Sequence, residues 1–165
     1  MAPEAITCRD KTGRCYLLAC CGPEACQPVL EMYDCFDPMP ASQGLPPRDH
    51  DARLTWLRGV MEGGESFIVK DGDRVVGHAV LTPDWERKEA EFIIFVSKPY
   101  RNRGLGTQLT RRAIARAREL GLRRIWLEVE SFNFPAVKLY RKCGFQFAGP
   151  CECGRKMVLD LDGSS

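Results

Sequence analysis

The stretch Val96-Ser97-Lys98-Pro99-Tyr100-Arg101-Asn102-Arg103-Gly104-Leu105-Gly106-Thr107 leads from an apolar run into an amphipathic one, the pattern of a strand passing into a helix. Glycines at 104 and 106 let the backbone approach a ligand closely and take conformations closed to other residues. The first turn of the following helix adds unpaired N–H groups and the positive end of its dipole. Together these features form a cradle for a pyrophosphate. No Gly-Lys-Ser/Thr follows, so a Walker loop is excluded, and the third glycine and distal acid of a dinucleotide fingerprint are also missing. A second constellation, Asn133-Phe134-Pro135-Ala136-Val137-Lys138-Leu139-Tyr140-Arg141-Lys142-Cys143-Gly144-Phe145, directly follows the strand-like Trp126-Leu127-Glu128-Val129.

The elements that position these residues follow from periodicity. Ala5 to Arg9 and Cys15 to Ala19 predict a hairpin about the polar turn Asp10 to Gly13. Pro28 to Phe36 predicts a helix, and a second helix starts at Asp49 or Asp51 and runs to Met61. Between them Asp37 to Asp49 carries four prolines and reads as an ordered loop, a connector or a substrate lid. Ser66 to Lys70 and Val75 to Leu81 flank an Asp-Gly turn, and Trp85 to Glu89 is a charged turn. Glu91 to Val96 reads as a central strand covered on both faces. A long helix from Gly104 to Leu120 presents Leu105, Leu109, Ala113, Ala117 and Leu120 inward and Arg111, Arg112, Arg116 and Arg118 outward. Ile125 to Val129 is a strand, Asn133 to Cys143 a capped helix, and Phe145 to Cys151 with Lys156 to Leu161 a closing pair of strands. The order predicts an α/β (α+β) fold with one mixed, mostly antiparallel twisted sheet of about seven strands and helices on both faces.

A length of 165 residues suits one domain, residues 1–161, with 162–165 a frayed tail. No run is long and apolar enough for a membrane span, and the chain opens without a signal-peptide pattern, so a soluble cytoplasmic protein without a membrane partner is expected. The net charge of +2 hides an asymmetry. Residues 1–90 hold 10 basic and 15 acidic side chains, a balance of −5, and residues 91–165 hold 14 and 7, a balance of +7. The positive half suits an anionic ligand, although arginines on a solvated helix face explain the charge equally well. Nine cysteines (8, 15, 20, 21, 26, 35, 143, 151 and 153) form an odd count and read as thiols. Cys20-Cys21-x4-Cys26 and Cys151-x-Cys153 lack the knuckle spacing of a zinc site, so no metal is expected. His78, between Val76 and Val80, reads as a core histidine, and His50 as a solvated one.

The two constellations together resemble the GNAT superfamily of acyl-coenzyme A dependent N-acyltransferases. Its pyrophosphate motif, Gln/Arg-x-x-Gly-x-Gly/Ala, is matched by Arg101, Gly104 and Gly106, and its later motif, Asn-x-x-Ala-x-x-Leu-Tyr-x-x-x-Gly-Phe, by Asn133, Ala136, Leu139, Tyr140, Gly144 and Phe145. The resemblance covers at least Ser66 to Leu159 and implies acetyl-CoA as acyl donor, held where two central strands splay apart. It implies a Val96 N–H for the thioester oxygen, and the N–H groups of Arg103, Gly104, Leu105, Gly106 and Thr107 for the pyrophosphate. Arg101 and Arg103 add charge, Asn102 completes the loop, and Asn133 caps its helix and contacts the pantetheine arm. Tyr140 is the implied acid for the leaving thiolate. An amine of pKa near 10.4 is only about one part in a thousand neutral at neutral pH, so a base helps. Glu91 and Glu128 are the two candidates, both among apolar neighbours that raise a carboxyl pKa, with a water chain as the third possibility.

The activity so implied is direct acetyl transfer to a primary amine in a ternary complex, with a mild lean toward a protein or peptide amine. Small-molecule amines of the aminoglycoside or polyamine type are the alternative. A non-catalytic acyl-CoA sensor would not need Tyr140, Glu91 and Glu128. A nucleic-acid partner is not expected, because the arginines lie behind the helix without interleaved aromatics. A monomer or a homodimer fits equally.

Overall fold

The computed structural model describes residues 5–41, 43–151 and 154–162. Cys153 of the C-terminal thiol pair and the tail 163–165 lie outside the described residues. The chain runs through strands β1 (Ala5–Arg9) and β2 (Cys15–Cys21), helices α1 (Cys26–Asp34) and α2 (His50–Gly63), and strands β3 (Glu65–Asp71), β4 (Arg74–Asp84) and β5 (Glu89–Val96). Helix α3 (Leu105–Glu119), strand β6 (Arg124–Val129), helix α4 (Phe134–Lys142) and strands β7 (Gln146–Cys151) and β8 (Gly154–Asp160) follow. One sheet orders them β1-β2-β3-β4-β5-β6-β8-β7, eight strands where about seven were expected, because the N-terminal hairpin and the closing pair all join it. Only β5 and β6 are parallel.

Strand alternation sends side chains to two cores. On one face Phe67, Val69, Ala79, Leu81, Ala90, Phe92, Ile125 and Leu127 pack with Leu105, Leu109, Ala113 and Ala117 of α3 and with Tyr140 of α4. On the other, Ile68 and Phe95 pack with Val29, Met32 and Tyr33 of α1 and Leu57 and Met61 of α2. His78 sits in that second layer, fully buried, 2.7 Å from the Tyr33 hydroxyl through Nδ1 and 3.1 Å from Ser66 Oγ through Nε2. Burial holds its pKa down to about 3, so it is a neutral member of the core.

Two boundaries differ from the sequence expectation in a way that shapes the site. β4 runs on to Asp84 and β5 begins at Glu89, pairing Thr82 with Glu91, Pro83 with Ala90 and Asp84 with Glu89. Local polarity marks these residues as turn, but cross-strand pairing outweighs it. Two of the three β5–β6 pairs, Glu89 with Arg124 and Ala90 with Ile125, lie in that extension, and the third joins Glu91 to Trp126. Phe92–Val96 and Leu127–Val129 have no partner across this edge, so the central strands part at mid-sheet. Seven cysteines are free thiols: Cys8 is buried, Cys15 and Cys35 are exposed, and Cys20, Cys21, Cys26 and Cys143 are half-buried. Burial, with the nearby Glu24 and Cys20, pushes Cys21 up to about 12 and keeps it protonated.

Candidate active site

The gap between β5 and β6 is the centre of the site. Ser97 donates its N–H to Val76 O of β4 at 2.9 Å. N–H directions alternate along a strand, so the N–H groups of Val96 and Ile94 face the opposite edge, the one β6 leaves open. The Val96 carbonyl faces away from β4 as well and accepts from Arg101 Nε at 2.8 Å.

At the end of this gap α3 begins without a side-chain cap, with Gly104 at φ 90° as its N-cap residue. α1 likewise starts without a side-chain cap, whereas the other two helices are capped. Asp49 caps α2 by accepting from Ala52 N at 2.9 Å, and Asn133 caps α4 by accepting from Ala136 N at 3.4 Å. The first N–H groups of α3 are thus left to a ligand. Asn102, at φ 63°, and Gly104 are both left-handed, the alternation that turns successive N–H groups toward one anion. Gly106 answers a different need: a Cβ there would stand 2.7 Å from Leu139 Cδ1 and 3.9 Å from Ile94 Cδ1 and Val96 Cγ2. Glycine lets α4 close against α3 and the end of β5. The groups present, a glycine loop with free N–H donors beside an open strand edge, fit a phosphate-bearing ligand whose arm runs into the gap.

Tyr140 lies on α4, one residue from that contact. It is 8 % exposed, its ring packs edge-on to Phe145 at 5.8 Å, and burial, helped slightly by Cys143, pushes its pKa well above the ordinary phenol value. The hydroxyl is therefore a proton-bearing group throughout the neutral range.

On the opposite face of the sheet stand the carboxylates. Ile93 and Phe95 belong to the α1/α2 layer, and Glu91 shares their parity. Ile125 and Leu127 face α3, so Glu128 lies on the Glu91 side. The structure thus brings the two candidate bases together beside the gap. Burial raises the Glu91 pKa, and the charge of Glu128 raises it further. Neither makes an ion pair among the described residues.

The 37–49 loop crosses this mouth. Asp37 O accepts from Arg101 Nη2 at 2.9 Å, and the Asp37 carboxylate pairs with Lys98 at 3.1 Å. Farther along, Gln43 N donates to Glu130 Oε1 at 3.4 Å, just beyond the end of β6. Its return is held by Arg53, 5 % exposed, which donates to Pro47 O, Arg48 O and Met39 Sδ and pairs with Asp34 at 2.6 Å. The loop therefore spans from the end of β5 to the end of β6.

The two arginines of the loop, whose charge the family resemblance assigns to the pyrophosphate site, are engaged within the protein. The Arg101 guanidinium stacks 5.2 Å from the Phe36 ring and binds Val96 O and Asp37 O, because those carbonyls need a donor where β5 ends. Arg103 turns toward Asp10 and the Tyr16 hydroxyl, 3.4 Å from each, and over the Tyr100 ring. Sequence reasoning also passed over Arg53, Gln43, Glu130 and the Asp10–Arg14 turn. Only the turn left a trace, as a polar break in a hairpin.

The Acetyltransferase (GNAT) family matches residues 27–145. The chain belongs to that family. Streptothricin acetyltransferase of Streptomyces lavendulae is 39% identical over 79 residues, 48% of this chain and 42% of that one, so the chain spans less than half the length of that curated relative. The L-methionine sulfoximine/L-methionine sulfone acetyltransferase of Pseudomonas paraeruginosa is 31% identical over 124 residues, 70% of this chain and 72% of that one. A Salmonella typhimurium protein solved with its cofactor acetyl-CoA superposes with a TM-score of 0.71 at 23% identity, covering 91% of this chain and 96% of the other, a likeness of fold. Among the described residues no helix is long and apolar enough to cross a membrane, and no three potential ligands gather as a metal site.

Proposed function

We infer that this chain is an acetyl-CoA dependent N-acetyltransferase acting on a small-molecule primary amine. The observation that carries the reading is the parting of β5 and β6 after three paired residues, directly beside the uncapped start of α3. When bound, acetyl-CoA supplies a thioester carbonyl and a thiol leaving group. The N–H groups of Arg103 to Thr107 hold the pyrophosphate, and Asn133 meets the pantetheine arm. Val96 N–H, facing the gap, stabilises negative charge developing on the acyl oxygen. Glu91 accepts the proton that the amine sheds, with Glu128 keeping its pKa raised. Tyr140 donates its hydroxyl proton to the departing sulfur.

Three features support a small amine over a lysine side chain of a protein. The 37–49 loop is fastened on both sides of the gap. Glu91, Glu128 and Glu130 gather negative charge where a cationic amine would dock. Both curated relatives named above carry small molecules in their names. The test is thiol release from acetyl-CoA over a panel of amino acids, diamines, aminoglycosides and lysine peptides, with the acetylated product identified by mass spectrometry. Turnover of small amines over peptides is expected. Turnover of lysine peptides alone overturns the substrate class, and coenzyme A binding without acetylation of any amine replaces the enzyme by a sensor.

A further inference from the structure

The turn between β1 and β2 is anchored to the phosphate cradle by contacts that strand pairing does not require. Lys11 donates its N–H to Arg103 O at 2.9 Å, and Gln108 Nε2 of α3 donates to Arg9 O at 2.6 Å. The Asp10 side chain, fully buried, accepts from Thr12 N at 2.8 Å, Thr12 Oγ1 at 2.6 Å, Arg14 N at 3.1 Å and the Tyr16 hydroxyl at 2.7 Å. Those hydrogen bonds, led by the Thr12 hydroxyl, hold the Asp10 carboxyl far below the ordinary carboxylate range against its burial. Asp10 is thus saturated within the turn and has Arg103 as its cation.

This anchoring lays the Lys11 side chain over Gly104. Its Cγ and Cε stand 3.6 and 3.7 Å from where a Gly104 Cβ would be, ordinary contact distances that place the lysine stem against this residue. Arg14 pairs with Asp71, Arg103 with Asp10 and Lys98 with Asp37. Lys11 has no acidic partner among the described residues. Its Cε, one bond from the ammonium, thus lies beside Gly104, the N-cap residue of the uncapped α3.

We propose that Lys11, delivered by the N-terminal hairpin, is a phosphate ligand of the acyl donor at the Gly104 end of the cradle. The inference rests on acetyl-CoA being that donor. A phosphate oxygen is the complement of this arrangement, and coenzyme A offers two sources, the pyrophosphate and the 3′-phosphate. The turn adds a charged contact to a site otherwise made of backbone N–H groups, and the buried Asp10 keeps it in register with the loop.

Titration calorimetry of the full chain with coenzyme A and with 3′-dephospho-coenzyme A tests the assignment without relying on turnover. Lys11→Ala is expected to weaken coenzyme A binding about tenfold, Lys11→Arg to restore most of the affinity, and Lys11→Glu to weaken it more than alanine does. If the contact is to the 3′-phosphate, the alanine variant and the unaltered protein bind the dephospho compound equally; if it is to the pyrophosphate, the tenfold difference persists. Coenzyme A binding unchanged in Lys11→Ala and Lys11→Glu overturns the proposal and leaves the cofactor reading standing. Failure of the unaltered chain to bind coenzyme A overturns both. Lys11 is exposed, so an unchanged thermal midpoint in the ligand-free variants separates a lost contact from a lost fold.

Discussion

The two sides of the gap between β5 and β6 are made of different material. On the α3 side the donors are backbone N–H groups presented by a glycine loop and an uncapped helix. On the α1/α2 side the groups proposed to act are carboxylates on two strands, beside a loop that side chains tie down. Backbone donors depend on chain path and tolerate many side-chain changes. Carboxylates depend on which residue occupies each position and on the charges around it. One half can therefore bind a constant chemical handle, and the other can be retuned for a substrate without disturbing it.

Single substitutions can break this contrast. The largest effect is expected from Tyr140→Phe, the one side chain on the α3 and α4 side given a proton to transfer: kcat should fall about 10²–10³-fold with coenzyme A affinity preserved. Steady-state kinetics beside calorimetry would show this, and an unchanged kcat would leave that wall a binding device only. Glu91→Gln should lower kcat/KM at neutral pH about 10²-fold and remove the acidic limb of the pH profile. Gly106→Val forces Leu139 aside, so coenzyme A binding should weaken at least about tenfold and urea denaturation should report a loss of about 1–3 kcal/mol. Intact binding would mean that the cradle does not depend on the close approach of α4.

The smaller effects sharpen the carboxylate side. The Glu91 pKa is raised, so as a base it is lost when pH falls through that raised value. For stability the sign is opposite: the carboxyl favours the fold fully only below its ordinary value, and that contribution is lost as pH rises through the raised one. Glu91→Gln should therefore show a slightly higher thermal midpoint at neutral pH while activity collapses. Glu128→Gln removes the neighbouring charge, so the acidic limb should move to lower pH while kcat on its plateau changes little. Asp49→Ala removes only the α2 cap and should cost about 1 kcal/mol, with the cradle untouched.

Much of the cofactor side was legible as a pattern because its demands are local. Gly104 must take φ 90°, Gly106 must lack a Cβ, and the helix after them must be amphipathic, conditions visible in a dozen consecutive residues. Glu91 and Glu128 were visible as residue types, but their sharing of one face was not. That required the parallel register of Glu91 with Trp126, a pairing between segments distant in sequence. Arg53 and Gln43 look like ordinary helix and loop residues. Their work appears only when segments distant in sequence meet.

From its sequence alone this chain determined a mixed sheet with helices on both faces, a glycine cradle leading into α3 and a capped α4 carrying Tyr140, because hydrophobic period, backbone freedom and capping act over short spans. Tertiary structure alone decided where β5 and β6 part, which way Arg101 and Arg103 turn, and how the 37–49 loop crosses the gap. It also decided that Lys11 lies over Gly104, more than ninety residues away in sequence. These outcomes are settled by hydrogen-bond and charge satisfaction between segments that become neighbours only once the sheet has formed.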